Sequence, residues 1–125
     1  MMEISKWGAA AMLLTLLATA QALADGDAGR GKTLFARCGA CHAVSEQNKV
    51  GPHLSGVFGR TAGTVAGARY SKAMTASGMT WDEPTLDAFL TEPTKALPGT
   101  TMSARLPNPQ DRADVIAYLK TLASP

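Results

Sequence analysis

Cys38-Gly39-Ala40-Cys41-His42 is the stretch around which the whole chain is organised. Its C-x-x-C-H spacing is that of a c-type haem attachment site. Two thiols three positions apart near a helix end point the same way, so each can reach one vinyl group of a single porphyrin. The next side chain, His42, then lies under the ring and offers an imidazole nitrogen to iron. Other uses of the pentapeptide fit worse. A structural zinc ion takes four ligands, and Cys38, Cys41, His42 and His53 are all the cysteines and histidines present. Consecutive Cys41 and His42 point in awkward directions for one tetrahedron. A thioredoxin-like C-x-x-C needs a βαβ setting, and no alternating run of residues marks a strand.

Immediately upstream, Leu34, Phe35 and Cys38 recur at helical intervals, so a first helix is expected over Gly29 to Ala40, with Asp27 as its cap. Downstream the periodicity is lost. Asn48-Lys49-Val50-Gly51-Pro52 and Gly56, Gly59, Gly63 and Gly67 mark a long irregular region. Such a loop is unusual in a compact domain unless it serves a site, and wrapping the edge of a cofactor is that service.

Further out, a short helix is expected from Tyr70 to Ala76, ended by Gly78. Thr80-Trp81-Asp82-Glu83 fits a capping box with Pro84 in the first turn, and Leu86, Phe89 and Leu90 give that helix its apolar face until Pro93 stops it. Pro98-Gly99-Thr100-Thr101-Met102 is again irregular. Asn108 and Pro109 then open a last helix, with Asp111 in its first turn and an apolar stripe of Val115, Tyr118, Leu119 and Leu122. The pattern predicts an all-α fold of about four helices, with long loops facing one covalently attached haem.

The start of the chain reads as a secretory signal. Lys6 supplies a positive n-region, Trp7 to Ala20 is apolar apart from two threonines, and Ala22-Leu23-Ala24 is an A-x-A cleavage site before Asp25. The apolar run falls short of the roughly 20 residues a membrane span needs. Residues 1–24 are therefore expected to be removed and residues 25–125 to form one domain in the periplasm, without stable membrane insertion. A domain so small gains from a large apolar cofactor in its core. Lys and Arg number 12 against 10 Asp and Glu, with no basic run, which argues against nucleic-acid binding.

Taken together, several of these motifs resemble the small soluble class I cytochromes c of the mitochondrial and bacterial electron-shuttle type. The likeness runs from about Gly31 to Leu122. It rests on Cys38-Gly39-Ala40-Cys41-His42, Gly51-Pro52-His53-Leu54, Val57-Phe58-Gly59-Arg60, Thr80-Trp81, Pro98-Gly99-Thr100-Thr101-Met102 and Ile116-Ala117-Tyr118-Leu119-Lys120, in that order. The resemblance implies that His42 and Met102 are the two axial ligands. It further implies that Pro52 accepts the other ring N–H of His42 and that Arg60, Tyr70 and Trp81 donate to the haem propionates. Thr100 would place its hydroxyl near the propionate side of the methionine loop. Gly31, Phe35, Val115 and Tyr118 would form the crossing of first and last helices.

The residues agree with that assignment. Methionines usually fill cores, but Met102 sits in a Pro-Gly loop rather than on a helix stripe, unlike Met74 and Met79. His53 follows Pro52 on the His42 side and cannot easily reach the opposite face. The chain also departs from its relatives. Phe89 stands where many have a tyrosine bonded to the methionine sulfur, and Ala104 where an aromatic commonly shields the haem edge. Thr33, Thr94 and Thr101 replace common lysines, which leaves Arg37, Lys49 and Lys95 as a sparse basic ring.

The function expected is one-electron transfer by a monomer, without enzymatic activity. Redox partners would be a membrane cytochrome bc complex, a terminal oxidase or a periplasmic dehydrogenase. Two other readings stay open: a haem enzyme or small-ligand binder with a labile Met102, and a dedicated electron acceptor of one dehydrogenase.

Overall fold

A computed structural model describes residues 26–123, so the expected signal over residues 1–24 lies outside the described residues. The elements are α1 (Ala28–Leu34), a 3₁₀ turn (Phe35–Arg37), α2 (Lys72–Ala76), α3 (Glu83–Thr91), α4 (Pro93–Ala96) and α5 (Pro109–Lys120). Among the described residues the only extended pairing is a single bridge between Thr61 and Thr80. No described helix is long and apolar enough to cross a membrane.

Asp27 caps α1 as expected, accepting from the Arg30 N–H at 3.1 Å. The helix does not run unbroken to Ala40. It tightens to 3₁₀ at Phe35 and then turns twice more, with Cys38 and Gly39 N–H both donating to the Phe35 carbonyl and Cys41 and His42 N–H both donating to that of Cys38. Gly39 favours this, because glycine costs a continuing helix about 1 kcal/mol relative to alanine.

α5 crosses α1 and also packs on α3. At the crossing a Cβ on Gly31 would overlap the Asp114 carbonyl, so only glycine permits this approach. Beside it Phe35 and Tyr118 meet edge to face, ring centres 5.5 Å apart. Val115 and Leu119 of the expected stripe are buried, and so is Ile116, because α5 is covered on more than one side.

Three expected boundaries move, each for a local reason. α2 begins at Lys72 rather than Tyr70, since the Ser71 side chain accepts from Met74 N–H and caps it there. The cap of α3 is Asp82, not Thr80, and its capping-box partner is Thr85, not Glu83. Residues 80–81 are extended instead: Trp81 N–H donates to the Arg60 carbonyl beside the Thr61–Thr80 bridge, which delays the helix. Pro93 does end α3, but it also opens α4, because Glu92 at φ −160° resets the chain and a proline suits a first helical turn. That is why five α-helices, among the described residues, replace the four expected. α5 starts as read, with the Asn108 side chain accepting from Gln110 and Asp111 N–H and Pro109 in the first turn.

Candidate functional site

One cavity of about 360 Å³ runs between these elements. Its wall contains Cys38, Cys41, His42, Pro52, Arg60, Tyr70, Trp81, Thr100 and Met102, so all nine expected site residues come together from six separate stretches of chain. Phe35, Leu54, Val57, Met74, Leu86, Phe89, Leu90, Val115 and Leu119 complete an apolar lining. Such a wall suits a flat, greasy cofactor with a few polar handles.

The attachment turn supplies two thiols that no disulfide joins. Cys38 is half-buried and Cys41 exposed; burial pushes the Cys38 thiol up from its ordinary value, against a small opposing pull from Arg37. His42 follows directly. Its Nδ1 is 2.7 Å from the Pro52 carbonyl. A carbonyl can only accept, so Nδ1 carries the proton and Nε2 keeps the lone pair a metal requires. Gly51 lies flat against the ring, and a Cβ there would overlap Cε1. The donor set therefore fits a haem: two thiols, one imidazole of fixed tautomer and one thioether in a single apolar cavity.

Arg60 is half-buried in the wall. Its guanidinium donates to the His53 carbonyl at 3.1 Å and the Ser55 carbonyl at 3.3 Å. Loss of water lowers its pKa from the usual arginine value. A desolvated cation here favours an anionic group beside it. The Tyr70 hydroxyl accepts from Val65 N–H at 3.1 Å, which leaves its own proton to give. Trp81 is buried against Phe89, ring centres 5.0 Å apart. The polar handles suited to carboxylates thus come from the loops, and the greasy wall comes from the helices together with loop residues Leu54 and Val57.

Phe89 and Ala104 also line the cavity. Phe89 presents no hydroxyl there, and exposed Ala104 leaves the rim open, as the sequence implies. His53 is not among the lining residues; its ring Nδ1 meets the Ser55 hydroxyl at 2.9 Å.

Sequence reasoning missed several contributors. Met74 lines the cavity although its helical spacing marks it as core. Exposed Arg69 lines the cavity, as does exposed Arg37. Lys49, expected as a free surface charge, donates to the Gly39 carbonyl at 2.6 Å. Arg112 ties the end of the methionine loop, donating to the Leu106 and Pro107 carbonyls at 3.0 and 2.9 Å and to Asp87 at 2.7 Å. Only Arg112 gave a signal, as an arginine on an otherwise core-facing turn of α5.

Comparison with known proteins agrees with this geometry. The family model described as Cytochrome c matches residues 28–123. The chain is 53% identical over 90 residues to cytochrome c2 iso-2 of Magnetospirillum fulvum, covering 70% of this chain and 94% of that one. It is 49% identical over 109 residues to cytochrome c2 of Rhodomicrobium vannielii, covering 85% and 87%. Among solved structures it is similar to cytochrome cH from Methylobacterium extorquens. The TM-score is 0.74 at 46% identity, over 77% of this chain and 99% of that one.

Proposed function

Because the chain belongs to the cytochrome c family, carrying electrons on one covalent haem c, we propose that it is a periplasmic carrier with His/Met-ligated iron. In this reading residues 1–24 are a cleaved signal. The partners are a membrane cytochrome bc complex, a terminal oxidase or a periplasmic dehydrogenase. The observation that carries it is the meeting of Cys38, Cys41, His42 and Met102 in one apolar cavity.

Cys38 and Cys41 would hold the cofactor through thioethers, and His42 Nε2 and the Met102 sulfur would be the two protein ligands to its iron. Pro52 fixes the His42 tautomer through Nδ1 and makes the ring a stronger donor. Arg60, Tyr70, Trp81 and Thr100 take the propionate side. The haem supplies a ferrous/ferric couple that moves one electron without a chemical substrate. With both residues bound, no site on the iron would remain for a substrate, and the apolar wall would limit access of water and polar reagents. Exposed Arg37 and Arg69 at the cavity, together with Lys95 of the sparse basic ring, favour partners with an acidic face.

Replacing Met102 by Ala tests the reading directly. The midpoint potential should fall by on the order of 0.1 V, since a thioether favours ferrous iron. Carbon monoxide should bind the reduced variant, and peroxidase turnover should rise. Rapid carbon monoxide binding by the unaltered protein at neutral pH would instead favour a reactive haem.

A further inference from the structure

We propose that Lys49 is a positioning residue for the attachment turn and the His42 ring, rather than a docking cation; this rests on His42 being an axial ligand. Residues 49–52 hold the turn at several points. Lys49 Nζ donates to the Gly39 carbonyl at 2.6 Å, and Gly51 N–H donates to the Cys41 carbonyl at 2.8 Å. Lys49 N–H donates to the Gly51 carbonyl at 3.0 Å, which folds the segment back on itself. Pro52 accepts from His42 Nδ1, and Gly51 lies against the ring face.

Gly39 sits between the two cysteines and has no side chain to steady its peptide. A rotation there would re-aim both thiols and the histidine that follows them. The carbonyl needs a donor, and a charge-assisted bond from an ammonium is among the stronger ones available. Lys49 anchors the segment through both its main chain and its side chain, so the strap closes over the ring as a unit. Asn48 secures the strap from behind: its Oδ1 accepts from His53 N–H at 3.1 Å and its Nδ2 donates to the Ala66 carbonyl at 2.9 Å. An ammonium held in this way has little freedom to seek a partner's carboxylate. Lys95 is exposed and makes no hydrogen bond or ion pair among the described residues, which suits it to the docking role.

The test is amide hydrogen exchange on the purified holoprotein, comparing Lys49→Met and Lys49→Arg with the unaltered chain. The amides of Gly51, bonded to Cys41, and His42, bonded to Cys38, report the strap and the turn; those of α5 report global opening. In Lys49→Met the first two should exchange about tenfold faster, matching the loss of one charge-assisted bond, with α5 unchanged. Lys49→Arg, which keeps a charged donor, should restore most of the protection. Should Lys49→Met fold poorly, Lys49→Gln, a neutral donor, should give an intermediate acceleration. The proposal fails if Gly51 and His42 stay within about twofold of the unaltered protein, or if α5 accelerates equally. The axial-ligand reading is checked separately by the His42 ring resonances of the unaltered ferric protein. Without strong paramagnetic shifts that reading fails, whatever the exchange rates show.

Discussion

The α1–α5 crossing and the methionine loop are built in opposite ways. At the crossing, backbone meets backbone over Gly31, Phe35 meets Tyr118, and the buried Asp114 carboxylate collects Asp27 N–H, Arg30 and Gln110. Across residues 101–105, by contrast, no hydrogen bond forms among the described residues. That loop is held at its ends, by Thr100 N–H on the Leu97 carbonyl and Leu106 N–H on the Leu90 carbonyl. One region is stable by its own packing. The other takes its order from its anchors and from the bond proposed for Met102. The contrast suits the carrier proposed above, in which a rigid frame would aim His42 and a lightly held loop would bring Met102 to the cofactor.

The comparison breaks most sharply at Gly31. A Cβ there meets the Asp114 carbonyl, which is backbone and cannot rotate aside, so the helices must separate. Gly31→Val should cost about 3 kcal/mol or more, the upper end for overpacking. Denaturant unfolding of the holoprotein measures it. The spectrum of whatever protein remains folded should keep its Met102 ligation, because the damage lies in the frame. A variant that unfolds normally but loses the methionine would show the two regions to be mechanically one.

Arg112 is the converse case, a single side chain that reaches from the frame to the loop. Its guanidinium is buried, and replacing it by Met strands the buried Leu106 carbonyl, while that of exposed Pro107 can take water. Asp87, half-exposed, recovers water in its place. Arg112→Met should cost roughly 2 kcal/mol, for the stranded acceptor and the lost charge-assisted bonds. Its distinctive effect is local: the reduced variant should admit carbon monoxide faster than the unaltered protein while α1 amides keep their protection. Equal loosening of both would erase the contrast.

Which parts of this were legible in the sequence follows from how local each signal is. The Asp27 and Asn108 caps and the closeness implied by Gly31 depend on near neighbours or on one missing Cβ, and the structure agrees with them. The expected cap at Thr80 was not right, because the pairing of residues 60–61 with 80–81 is set by chain 20 residues away. A capping-box pattern cannot register that. Pro93 read as a stop was half the story, since an extended Glu92 lets the same proline start a helix. Residues that gather at the cavity from the loops, such as Arg60 and Tyr70, were found through resemblance and not through periodicity. Lys49 escaped because its bond to the Gly39 carbonyl leaves no pattern in the chain that makes it, and Arg112 showed only as an arginine on a core-facing turn.

Asp114 offers the smallest and most selective break, through pH. Arg30 first, then the Asp27 N–H, hold its carboxyl below the usual carboxylate range, with burial opposing and Gln110 assisting. A carboxylate more acidic in the folded chain than in the unfolded one adds stability at pH above the unfolded value. That contribution is lost as pH falls from about 4, the unfolded value, through the depressed folded value. Asp114→Asn keeps an acceptor for the Asp27 N–H but gives up the charge, and Arg30 is exposed enough to take water instead. The loss at pH 7 should therefore be smaller than that of Arg112→Met. It should also shrink as the solution is acidified below pH 4, until the two proteins unfold alike. Met102 ligation, at the other end of the comparison, should not change between them at neutral pH. Equal differences in unfolding midpoint at pH 7 and in strong acid would show that the carboxylate's charge plays no part in holding α1 to α5.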